Sequence, residues 1–154
     1  MTSALTAAVV LGIAMQVTNT PQTKPYSSQK QPLHSWDVYM ASPDSIAAAR
    51  RLKGDCGDAE VQSVMNACFK MASAKADANL HLQYERYLTL LSGQARKDLI
   101  VEQAAWRNSR DTGCKAEADQ ELGGSIQPTV YYECMEESTT KRLQELAARF
   151  HAKR

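Results

Sequence analysis

The chain has 154 residues, a formal net charge of +1 and 44% hydrophobic residues, yet only two Phe and two Trp. That is a length for one compact domain plus extensions, with a modest core. The cysteines Cys56, Cys68, Cys114 and Cys134 form no Cys-x-x-Cys knuckle, which argues against a zinc site or attached haem and for a disulfide framework in an exported protein.

Along the chain, "SALTAAVVLGIAM" is an apolar run of signal-peptide length, too short for a comfortable membrane span. Residues 1 to 16 are therefore expected to be a signal peptide, with cleavage after Ala14, or an N-terminal apolar anchor. The preceding "MTS" lacks Lys and Arg, and no Cys follows closely enough to carry a lipid. From 17 to 42 the chain is polar and carries Pro21, Pro25 and Pro32, as in a flexible linker. "SPDSIAAARRLKG" then predicts a short helix over 43 to 54, with Ser42 as N-cap, Pro43 in the first turn and Gly54 as the stop.

Residues 55 to 150 predict an all-α domain. Asp58 is the expected cap of a long helix ending near Leu91, with Val61, Met65, Cys68, Met71 or Ala72, Leu80, Tyr84, Tyr87 and Leu88 at three- and four-residue steps. "SGQ" at 92 to 94 separates it from a second helix carrying Leu99, Gln103, Trp106 and Arg110, so the pair reads as an antiparallel hairpin. Gly123, Gly124 and Pro128 interrupt the helix within "ELGGSIQP", and a last helix runs from about Tyr131 to Phe150.

Few residues suggest chemistry. His34, His81 and His151 stand in no catalytic pattern, and His81 is placed to pair with Glu85 along a helix face. Neither an enzyme, nor a metal site, nor a cofactor is expected. In "QAAWRNSRDTGC", Gln103, Trp106, Arg110 and Cys114 share one helix side, with Asp111 on an adjoining face. Trp106 is expected in the core. A buried Arg110 needs carboxylates or loop carbonyls around its donors, and the loop "LGGSIQP" offers such carbonyls. Arg110, Asp111 and Gly123 are thus expected to order that loop. Four cysteines allow three pairings, and proximity along the chain favours Cys56 with Cys68 and Cys114 with Cys134. The latter link would close a loop of about twenty residues, contributing roughly 3 kcal/mol.

Several of these segments occur in a characteristic order: "NAC" after Met65, "AD" at 76 to 77, Leu80, Tyr84, "LIVEQAAWRNSRDTGC", "GGSIQP", Cys134 and "TTKRLQEL". That order, over 56 to about 147, resembles the LprI family of small exported bacterial proteins, named for a lysozyme-inhibiting mycobacterial lipoprotein. His81 stands where the family usually has Asn, and Ser109 where it usually has an aromatic residue. The resemblance implies a helical, disulfide-bonded, non-enzymatic protein and, through the name-giving member, lysozyme inhibition.

Charge points to the same kind of partner. Residues 111 to 137 hold seven acids against the base Lys115, which would repel nucleic acid and attract a basic protein. The expected function is inhibition of a basic lysozyme or another peptidoglycan hydrolase by a periplasmic or secreted protein. Glu117, Asp119 and Glu121 would meet cationic groups, while Gly124 and Ser125 present the loop to the cleft. The alternative is a periplasmic immunity protein or an accessory subunit of an envelope assembly. In that case the N-terminal segment, if retained, is the contact with the membrane.

Overall fold

The computed structural model describes residues 42–53 and 55–151. The expected signal peptide or anchor and the expected linker lie outside the described residues, apart from Ser42 at the linker's end. Among the described residues there are four helices and no strand: α1 (Pro43–Arg51), α2 (Gln62–Thr89), α3 (Gly93–Ala118) and α4 (Gln127–His151). Short 3-10 turns occupy Cys56–Asp58 and Asp119–Glu121.

Helix α1 starts where its sequence directs. The Ser42 hydroxyl accepts a hydrogen bond from the Ser45 N–H at 3.2 Å, Pro43 follows the cap, and Arg50 and Arg51 lie in the last turn. The left-handed residue beyond its end is Lys53, with φ 52°; the expected stop, Gly54, is not among the described residues. Asp58 does not cap α2. It sits in the 3-10 turn, Ala59 and Val61 are extended, and α2 begins at Gln62 with no side-chain cap.

Helix directions follow from the contacts. Asn66 meets Thr129, Asp77 meets Thr139 and Tyr87 stacks on Phe150, so α2 and α4 run parallel in a constant register. Gln103 meets Arg142, Arg110 meets Thr139 and Cys114 is bonded to Cys134, so α3 and α4 run antiparallel. The α2–α3 hairpin is antiparallel as well. Arg96 donates to the Leu88 carbonyl oxygen near the turn, and Arg110 reaches Asp77 further along. Helix α4 packs on both α2 and α3, and α1 packs on α2; α2 and α3 meet through side chains such as Asp77 and Arg110.

This arrangement explains the weak apolar stripe of α2, which touches α1, α3 and α4 on different sides. Small or polar residues, Asn66, Ala67, Ser73 and Ala76, are buried between its start and its middle, whereas Val61 is 57% exposed. Leu80, Tyr84, Tyr87, Leu88, Leu99 and Leu146 form the apolar core of one half of the bundle. Cys114, Ala118, Tyr131, Tyr132 and Met135 form a second cluster, and Ala49, Cys56, Ala67 and Cys68 join α1 to α2. The disulfides are Cys56–Cys68 and Cys114–Cys134.

Candidate functional site

A row of polar contacts crosses the bundle and carries an exposed loop at one end. Arg110 is 7% exposed. Its Nε donates to Asp111 Oδ1 at 2.9 Å, and its Nη1 donates to Asp77 Oδ1 at 2.5 Å and Thr139 Oγ1 at 2.7 Å. Burial alone would make the guanidinium easier to deprotonate, but the carboxylates of Asp77 and Asp111 outweigh it and raise its pKa. Burial also pushes Tyr131 up to about 12, with the Asp111 charge acting in the same direction.

One turn away, the Arg142 Nε donates to Gln103 Oε1 at 3.0 Å and its Nη2 to Glu102 Oε1 at 2.8 Å. Arg149 grips both oxygens of Glu102, each at 2.8 Å. These hydrogen bonds, the Arg149 pair first, hold the Glu102 carboxyl down at about 2. Trp106 is half-buried at the core's edge rather than enclosed, with Arg110 over its ring at 5.0 Å and Arg142 at 5.7 Å. Beside it, Ser109, Gly113, Ser138 and the Cys114–Cys134 disulfide line an open groove of about 420 Å³.

Arg110 and Asp111 do not hold the loop. Arg110 lies eight residues before the end of α3, about 12 Å along the helix, and it spends its donors on Asp77, Asp111 and Thr139. The loop is held by α2 and by the start of α4. Asn66 is 1% exposed and its Nδ2 donates to the Ser125 carbonyl oxygen at 3.1 Å. The Asn66 Oδ1 accepts from Gln62 Nε2 at 2.9 Å and from Thr129 Oγ1 at 2.6 Å. Gln127, also 1% exposed, accepts from the Gly123 N–H through Oε1 at 3.2 Å.

Both glycines suit their places. Gly123 has φ +80°, and a Cβ on Gly124 would stand 3.1 Å from the Glu121 carbonyl oxygen, which accepts the Gly124 N–H. The result is a fixed turn with Ser125 exposed, Glu117 and Glu121 exposed nearby, and Asp119 paired with Lys115. The five expected partner-facing residues therefore lie together at the end of α3 and in the loop that follows. Besides Gln103, which the sequence places on the Arg110 side of its helix, the polar residues that hold this architecture are Asn66, Asp77, Gln127, Thr139 and Arg142. Their signal was present in "NAC", "AD" and "TTKRLQEL", but an isolated polar residue does not announce its own burial.

Among the described residues no group of His, Cys, Asp and Glu is arranged to hold a metal ion, and none of the helices there is long and apolar enough to cross a membrane. No solved structure matches this chain. An uncharacterized protein of Rhizobium meliloti (strain 1021) is 28% identical over 113 residues, spanning 65% of this chain and 81% of that relative. The model of the family described as lysozyme inhibitor LprI matches residues 54–146, from just before the Cys56 turn through Thr139 and Arg142 of α4. The chain belongs to the LprI family of lysozyme inhibitors.

Proposed function

We propose that this chain acts outside the cytoplasm, in the periplasm or secreted, and inhibits a basic lysozyme by presenting the loop 119–126 to its cleft. The observation that carries this reading is the fixed, exposed turn at Ser125, held from beneath by Asn66 and Gln127 and flanked by Glu117 and Glu121. A turn ordered before binding loses little conformational entropy on docking. The carboxylates steer a cationic enzyme toward it. Ser125 then offers a hydroxyl to the carboxyl pair that glycoside-cleaving enzymes carry, while Glu117, Asp119 and Glu121 meet cationic groups at the rim.

The test is inhibition of a basic c-type lysozyme by the oxidised full chain at low and moderate salt. Micromolar or tighter inhibition that weakens with salt is expected, as is a further loss when Glu117, Asp119 and Glu121 are changed together to Gln. Absence of both binding and inhibition would sink the reading and turn the search to a toxin or an envelope assembly.

A further inference from the structure

Both disulfides lie in the same half of the bundle. Cys68 is within about two turns of the start of α2, Cys134 within about two turns of the start of α4, and Cys114 in about the last turn and a half of α3. That half ends in the loop 119–126 and in the segment 55–61, which Cys56 ties to α2. The hydrogen bonds Asn66–Ser125 and Gln62–Thr129 bring the start of α2 against the loop and the start of α4. Two loops from separate parts of the chain therefore form one cross-linked end. The opposite end, at Leu90 and Phe150, has no cross-link.

This end also exposes apolar side chains. Val61 is 57% exposed, Leu122 74% and Ile126 41%. Among the described residues the other exposed large hydrophobes are Ile46 on α1, Leu82 in α2, Leu90 just past its end and Val101 in α3. Scattered exposed hydrophobes are ordinary, but apolar residues gathered at a polar-rimmed end mark a contact surface. The rim carries Asp55, Asp58 and Glu60 on one segment and Glu117 and Glu121 on the other, all exposed; α1, packed on Cys56 and Cys68, brings the exposed bases Arg50 and Arg51 beside the first segment, and the acids remain in excess. Lys115 is paired with Asp119, and Lys53 stands at the edge.

We infer that this cross-linked end is a two-segment docking face, with Val61, Leu122 and Ile126 as its apolar centre. Its occupant is a cationic protein surface bearing an apolar depression. The assignment rests on the inhibitor reading for its partner, and it adds segment 55–61 and an apolar anchor to the acidic loop. Charge complementarity selects the occupant, and dry contact at the centre sets its residence time.

The experiment measures both binding and inhibition of a basic c-type lysozyme by the full oxidised chain and by Val61→Ser, Leu122→Ser and the double variant. Leu82→Ser serves as the control. Tenfold or greater weakening by each of the two single changes, with an unchanged melting temperature and an unaffected control, is expected. Undiminished binding by the double variant would overturn the face while leaving the inhibitor reading intact. Binding that depends on Val61 and Leu122 without inhibition would uphold the face and overturn the inhibitor reading. Failure of the unaltered chain to bind would overturn both, as would a dimer of the chain that Leu122→Ser dissolves in place of lysozyme binding.

Discussion

The Asn66 Nδ2 donates to the carbonyl oxygen of Ser125 at 3.1 Å, so a buried amide on α2 carries the exposed turn between α3 and α4. Its Oδ1 is used at the same time by Gln62 and Thr129. Asn66→Ala removes the donor to Ser125 and the shared acceptor of Gln62 and Thr129, which keep only their bond to each other, and should cost about 1–3 kcal/mol. Hydrogen exchange at the Gly124 and Gln127 amides should quicken together. Asn66→Asp keeps the acceptor but has no N–H for Ser125, so it should also release the turn. Unchanged exchange at both amides in either variant would contradict this role.

Arg110 has its side chain 2% exposed and Asp77 opposite it 18% exposed. Arg110→Ala leaves that carboxylate without its counter-charge, with only the Thr139 hydroxyl donating to it at 3.3 Å, which should cost about 3–5 kcal/mol. Arg110→Lys should recover little, because one ammonium cannot reproduce the planar fork that serves Asp77, Asp111 and Thr139. Lysozyme binding should fall only as the folded fraction falls. An unaltered melting temperature with lost binding would place Arg110 in the contact itself and refute the structural role.

These two side chains show what was legible in the sequence. The helical class, α1 with its Ser42 cap, the break near Ser92 and the disulfide pairs chosen by proximity all rest on local signals: caps, glycines and spacing. The partners of Arg110 do not, since Asp77 is 33 residues away and Thr139 is 29. Sequence proximity points to Arg110 and Asp111 as the loop's support, whereas an amide 59 residues away supplies it. Helix α2 misled for a related reason: a helix packed on three sides has no single apolar stripe, so Val61 looked like core and Asn66 did not.

Glu102 should leave a mark on acid stability. Its carboxyl is held at about 2, against an ordinary 4.5, by hydrogen bonds from Arg149 and Arg142. A pKa lower in the folded than in the unfolded chain gives stabilisation that is complete above about pH 4.5 and is lost as the pH falls through about 2. Glu102→Gln should flatten the urea-midpoint profile over that window. The amplitude of that change, which equals the contribution at neutral pH, should be small, because the side chain is 40% exposed and screened by solvent. A variant whose profile parallels the parent's through the same window would show that the ion pairs contribute nothing.

Gly113 lies inside α3, and a Cβ built there meets nothing within 4 Å. Glycine in a helix interior is unfavourable by roughly 0.5–1 kcal/mol relative to alanine. Gly113→Ala should therefore raise the melting temperature by a few degrees. It also narrows the groove beside Trp106 without touching the loop, so lysozyme inhibition should be unaffected. A stabilised variant that no longer inhibits would move the docking face from the loop end to the groove.

The Cys114–Cys134 bond separates two ways in which a cross-link serves binding. It spans 20 residues of chain, and removing it with Cys114→Ser and Cys134→Ser should cost roughly 3 kcal/mol by the loop-entropy argument. If it served global stability alone, the variant would bind as the parent does at any temperature where both are folded. The loop it closes contains Ser125 and Leu122, however, and Ala118 and Tyr131, buried together on the loop side of the bond, are its next support. Loss of the bond should therefore weaken binding in the fully folded variant too, chiefly through faster dissociation, because the turn must then be ordered on the partner. Equal dissociation rates for the folded variant and the parent would assign the bond to stability only and leave the turn to Asn66 and Gln127.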